Sequence, residues 1–111
     1  MARLTIHVLD MLAGVSANQM SVEVITPAGV SKTIKTGLDG RAAKPILEDD
    51  AFPAGVYQMI FDLKSYFVGC GLKEEDFFMD RAIIEFKVLP NSSYHLPLIV
   101  TPWSYSIYRG S

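Results

Sequence analysis

The chain holds a single cysteine, Cys70, among 111 residues. One thiol excludes an internal disulfide and a cysteine-based zinc site. It fits a reducing compartment, and Cys70 is expected to serve as a small apolar filler. Histidine is nearly as scarce. His7 and His95 are the only two, fewer than the three or four ligands of a standard zinc site. The Asp and Glu residues fall at no spacing that would complete one, so no metal site is expected. An excess of one charge is missing as well. Ten Lys and Arg against twelve Asp and Glu leave a formal net charge of −2, without the clustered basic residues that nucleic acid favours. No apolar run approaches the roughly 20 residues of a membrane-spanning helix. "MARLTIHVLD" enters a strand-like pattern directly, without an apolar signal segment and cleavage site. A cytoplasmic protein with no nucleic-acid or membrane partner is therefore expected. Linkers, low-complexity tracts and internal repeats are also absent.

What is present is a rhythm of short alternating runs. At this length one domain over 1–111 is expected. Half of the residues are apolar and a fifth charged, rich for a small monomer, so an apolar subunit interface is expected. In "LTIHVLD", Leu4, Ile6 and Val8 fall on one face, Thr5 and His7 on the other. "MSVEVIT" and "VSKTIKT" flank a Pro27–Gly29 turn and read as a hairpin. "TGLDGR" is a second turn, where Gly37 and Gly40 can take positive φ. A short edge strand through "AAKPIL" is expected, since Pro45 cannot donate to a ladder. Val56 to Leu63, "AIIEFKV", "YHLPLIV" and "WSYSIY" add four more strands. "LKSYFVGCGL" carries a short helical pattern that halts at Gly69 and Gly71. "KEEDFFMDR" reads as a solvated acidic loop anchored by Phe77 and Phe78. About eight strands and one short helix imply two packed antiparallel sheets.

The residues able to do chemistry are few. His7 and His95 both project from the side of their strand opposite the apolar core face. Singly, each is more commonly a surface or hydrogen-bonded histidine than a functional one. Arg41 follows the tight "LDG" turn. It is either a solvated loop-end charge or a flat donor fork for a planar anion or a developing oxyanion. No G-x-S-x-G elbow and no Asp–His pairing supports a serine triad around Ser106 or Ser111. The closing "YSIYRGS" sets an aromatic, a cation, a glycine and a hydroxyl together where chain ends are usually frayed and idle.

Four segments in order carry a resemblance: "IHVLD", "T-x-x-DGR" at 36–41, "YHLPLIVTPW" at 94–103 and "YRGS" at 108–111. Together they resemble the transthyretin-related family, and within it the branch that hydrolyses 5-hydroxyisourate. "GVYQMIFDLKSYF" is similar to the family's strand, helix and aromatic pattern. Departures fall at Ile6 for the usual Thr, Ser93 for a usual His, and Trp103-Ser104 for an aromatic-Gly pair. The resemblance implies an all-β, transthyretin-like sandwich of two four-stranded sheets with one short helix. It implies a homotetramer, a dimer of dimers, with active sites in clefts at the dimer–dimer interface. His7, Arg41 and His95 match the family's catalytic positions, with Ser111 close to the substrate and Tyr108, Arg109 and Gly110 lining the pocket.

The implied substrate is a small-molecule purine derivative. Water attacks a ring carbonyl of 5-hydroxyisourate, the cyclic amide opens, and 2-oxo-4-hydroxy-4-carboxy-5-ureidoimidazoline results, a step of urate degradation. Such chemistry needs a base, a donor for the leaving nitrogen and a cation for the oxyanion, and the resemblance implies no metal or organic cofactor. The alternative implied by the same resemblance is a channel protein that binds a planar aromatic ligand without catalysis.

Overall fold

Strand β1 (Arg3–Asp10) sets the pattern. Leu4, Ile6 and Val8 are fully buried, while Thr5, His7 and Leu9 lie half-buried on the opposite face. In the computed structural model, which describes residues 2–110, eight further strands and one α-helix follow, with short 3-10 turns at Asp49–Ala51 and Glu74–Asp76. They are β2 (Val15–Ser16), β3 (Ser21–Ile25), β4 (Ser31–Lys35), β5 (Leu47–Glu48) and β6 (Gly55–Asp62), then α1 (Leu63–Gly69), β7 (Arg81–Val88), β8 (Tyr94–Val100) and β9 (Tyr105–Ile107). One sheet runs β4-β3-β6-β7. The other runs β2-β1-β8-β9, with β5 also paired to β1. The inward-facing residues of both sheets form one core that includes Val22, Val24, Met59, Phe61, Leu96 and Leu98. This is the sandwich expected from the alternation.

Several local readings need correction. The β1–β8 pair is parallel, aligning Leu4 with Tyr94 through Asp10 with Val100. Alternation reports which face is buried but not strand direction. "AAKPIL" is not itself a strand. Pairing begins only at Leu47, opposite Leu4, because the preceding residues bend with the DGR turn. Leu63 opens the helix rather than closing β6. Phe77 packs on the core, but the Phe78 side chain is 78% exposed, and it is the backbone N–H of Phe78 that donates to the Pro102 carbonyl at 2.9 Å. Cys70 caps the helix C-terminus and is exposed, so it fills no core space. Among the described residues, no helix is long and apolar enough to cross a membrane.

Three short segments cover the free edge of β1. The β2 strand pairs with Leu9 and Asp10. The carbonyl of Gly40 accepts from Val8 N at 2.8 Å, and Ile46 N donates to the Leu4 carbonyl at 2.9 Å. Edge amides and carbonyls are thereby satisfied, and the loop carrying Arg41 is held beside β1.

The helix is tied to the same strand. Asp62 caps it by accepting from Ser65 N at 3.1 Å. Leu63 and Phe67 are buried beneath it. The Tyr66 hydroxyl donates to Asp10 Oδ2 at 2.7 Å, while Asp10 Oδ1 accepts from Leu12 N and Ala13 N at 2.9 and 3.0 Å. Asp10 is only 2% exposed, so these donors compensate a charge that would otherwise be costly to bury. Burial, and then the hydrogen bond to Asp10, push the Tyr66 hydroxyl pKa well upward. Tyr66→Phe removes one donor from this carboxylate. It is expected to cost about 1–3 kcal/mol, read as a lower urea midpoint with an unchanged m-value.

Candidate active site

The parallel register of β1 and β8 puts Thr5 opposite His95 and His7 opposite Pro97. Odd-numbered residues of both strands share the outer face of the sheet, so the two imidazoles occupy neighbouring strands on one surface. Thr5 Oγ1 lies 2.8 Å from His95 Nδ1.

Arg41 reaches this surface through its loop. The Thr36 hydroxyl donates to the Ala17 carbonyl at 2.7 Å and accepts from Met20 N at 2.9 Å, fixing the loop's start. Gly40 N donates to the Gly37 carbonyl, Gly37 N to the Arg41 carbonyl, and Arg41 N to Asp39 Oδ1. Gly40 has φ +74°, and a Cβ there would lie 2.3 Å from the Val8 carbonyl oxygen and 3.3 Å from His7 Cδ2. Only glycine allows the loop to touch β1 this closely.

His7 meets a protein group at each ring nitrogen. Arg41 Nη2 lies 3.4 Å from His7 Nδ1, and Ser16 Oγ lies 3.4 Å from Nε2. A guanidinium has only donors, so a hydrogen bond between the two is one that Arg41 gives to Nδ1. Both nitrogens of His7 are thus engaged by protein groups.

His95 is placed differently. It lines an open cleft of about 370 Å³ with Arg3, Thr5, Arg41, Ser93 and Gly110. A second cleft of about 210 Å³, bordered by Lys44 and Pro45, shares Arg3, Thr5 and Arg41 with it. Gly110 N donates to the His95 carbonyl at 2.6 Å. A Cβ on Gly110 would sit 2.9 Å from His95 Cδ2, so a side chain there would press on the imidazole. Burial, then the charges of Arg41 and His7, lower the His95 pKa, and the ring is neutral near pH 7. Among the described residues, no side-chain carboxylate lines either cleft. Among the described residues the only ion pair is Lys64–Glu74, so no described carboxylate pairs with Arg41.

The remaining sequence-predicted residues divide. Gly110 joins the His95 cleft. The Arg109 guanidinium instead lies 4.1 Å over the Tyr94 ring and donates to the Ser93 carbonyl at 3.1 Å. With Tyr108 it borders a separate, more apolar cleft that includes Phe86 and Ile107. Ser111 lies outside the described residues. Sequence reasoning gave no role to Arg3, Ser16 or Ser93. It set Thr5 on the face of His7 without linking it to His95. Shared parity was the available signal, but the pairing of β1 with β8 was not. A larger concavity of about 530 Å³ on the other sheet is lined by Glu23, Asp62, Lys64 and Arg81 and holds no imidazole.

Residues 4–110 match the HIUase/Transthyretin family. The chain is similar to the 5-hydroxyisourate hydrolase of Ralstonia nicotianae, at 38% identity over all of both chains. Among solved structures it is similar to Klebsiella pneumoniae 5-hydroxyisourate hydrolase, with TM-score 0.84 and 28% identity over 100% of this chain and 94% of that one. It is equally similar to sea bream transthyretin in complex with thyroxine, with TM-score 0.84 and 28% identity over 98% and 95%.

Two outcomes test this geometry. Gly40→Ala is expected to cost at least ~2 kcal/mol, through backbone strain and contact with the Val8 carbonyl, seen as a lower melting temperature. Arg41→Gln removes a cation that disfavours imidazolium. The His95 pKa is therefore expected to rise in an NMR titration, toward the unperturbed value of about 6.5. In the wild-type protein the folded pKa lies below the unfolded one. The stability associated with this group is accordingly intact above about pH 6.5 and declines as the pH falls through and below that value.

Proposed function

The chain belongs to the HIUase/Transthyretin family and hydrolyses 5-hydroxyisourate, and we propose that His7, Arg41, His95 and Ser111 carry the reaction. The observation that best supports this reading is the neutral His95 imidazole and the Arg41 guanidinium lining one cleft. The substrate is a small purine derivative whose cyclic amide must be opened. Water adds to the ring carbonyl and loses a proton to a base. The carbon–nitrogen bond then breaks as the leaving nitrogen gains a proton, and a carboxylate is left on the product. A neutral imidazole suits both transfers near pH 7. The Arg41 fork orients the substrate and balances the charge that develops on the carbonyl oxygen. We assign the Ser111 hydroxyl to positioning the water. The backbone at Tyr108, Arg109 and Gly110 would form the adjoining wall, with the Arg109 side chain holding that wall through Tyr94 and Ser93.

We further propose a homotetramer, a dimer of dimers, with each cleft completed at the dimer–dimer interface. The cleft is open on one side, with Arg3 and Arg41 exposed at its border. Large apolar side chains are exposed at Met11, Leu12, Val15 and Trp103, consistent with further burial on assembly.

Generating 5-hydroxyisourate in situ from urate and following its ultraviolet absorbance tests the assignment. The wild-type protein accelerates the decay. His95→Ala is expected to lower turnover by about 10²–10⁴-fold with the fold retained; near-normal turnover would remove His95 from the chemistry. A carrier that merely bound the compound would slow the decay. Sedimentation at a monomer's mass would exclude the tetramer.

A further inference from the structure

We propose that Thr5 is a positioning residue that holds the His95 ring with its proton on Nδ1 and its Nε2 lone pair in the cleft, which divides the work of the two imidazoles. The proposal rests on the reading of His95 as the group that moves protons.

The contact of Thr5 Oγ1 with His95 Nδ1, at 2.8 Å, is the shortest side-chain contact made by either imidazole; those of His7 are both 3.4 Å. Backbone register sets it, since Thr5 and His95 are paired residues of adjacent parallel strands. Threonine is stiff at χ1 because it is β-branched, so its hydroxyl presents a well-defined partner. Among the described residues no hydrogen bond reaches His95 Nε2. The ring therefore has one nitrogen fixed by the protein and one available to reactants.

The electrostatic surroundings select the tautomer. His95 shares its cleft with Arg3 and Arg41. A lone pair facing these cations is favoured over an N–H dipole directed at them. With Nδ1–H donating to Thr5 Oγ1, Nε2 can accept a proton from the attacking water. The imidazolium that forms keeps the same Nδ1–H bond to Thr5. Nε2–H then passes its proton to the leaving nitrogen as the carbon–nitrogen bond breaks, and the ring returns to its starting state. No ring flip is needed at any point. His7 is placed differently: Nδ1 faces Arg41 and Nε2 faces Ser16, each at 3.4 Å. It acts on Arg41 rather than on the water. Serine-triad enzymes use the same logic, with a carboxylate at the Nδ1 side of the working histidine; here a hydroxyl takes that place.

Long-range ¹⁵N NMR of the histidine rings, with steady-state kinetics, tests the proposal. In the wild-type protein neutral His95 is expected to show Nδ1 protonated and Nε2 bare. Thr5→Val keeps the shape but loses the acceptor. It should move the neutral ring toward Nε2–H and lower kcat by about 3–10-fold, the rate equivalent of one neutral hydrogen bond, with KM within about 2-fold. Thr5→Ser restores the hydroxyl and should recover both signatures. A wild-type His95 protonated on Nε2 overturns the proposal even if Thr5→Val does not fold. So does a Thr5→Val protein with wild-type kcat and spectrum, or a Thr5→Ser protein as impaired as Thr5→Val. These results leave the assignment of His95 intact provided His95→Ala remains inactive; an active His95→Ala protein removes that assignment itself.

Discussion

The parallel pairing of β1 with β8 is the constraint on which the site depends. These strands lie at opposite ends of the sequence, and nearly the whole chain forms the connection between them. Their register places Thr5 beside His95 and His7 beside Pro97. A slip of one residue would turn either imidazole into a core lined by Leu4, Ile6, Leu96 and Leu98. Burial of those residues is worth roughly 1.5–3 kcal/mol each, so the apolar face enforces the alignment of the polar one. Packing energy in the sandwich thus becomes geometric precision on its surface.

The edge of β1 completes the arrangement. Short strands cover its two ends, and the carbonyl of Gly40 occupies the middle. Arg41, the next residue, arrives beside His7 as a consequence of satisfying an edge amide. The glycine is demanded by the approach of the loop to the Val8 carbonyl. On the other side of His95, Gly110 plays a comparable part, pairing with the His95 backbone while leaving its ring unobstructed. Arg109 supports that segment by covering Tyr94. Adjacent residues in one short motif therefore face different clefts.

Relatives with this fold include hydrolases and a thyroxine-binding transthyretin. The sandwich alone does not select between opening a ring and holding one. On the proposed reading, the chemistry uses a neutral proton acceptor beside a cation. His95 has its protonated form disfavoured by burial and by the cations near it. On the same proposed reading, these cations attract the oxyanion of a reacting carbonyl, so that one electrostatic arrangement serves the base and the transition state together.

Alternation along the chain determined the strands, the sandwich class and the outward projection of His7 and His95, because side-chain parity is local and has a period of two. The ordered motifs also made the resemblance to the family legible. Parity was silent on direction, so the parallel pairing was missed, and with it the contact of Thr5 with His95. It was equally silent on loops: Leu47 pairs where "AAKPIL" was expected to, Cys70 is exposed, and Phe78 is solvent-facing. The different surroundings of Arg109 and Gly110 could not be read from adjacent letters. Those outcomes depend on contacts between residues tens of positions apart, set by how two sheets and an edge loop close over a common core, and only the tertiary structure decides them.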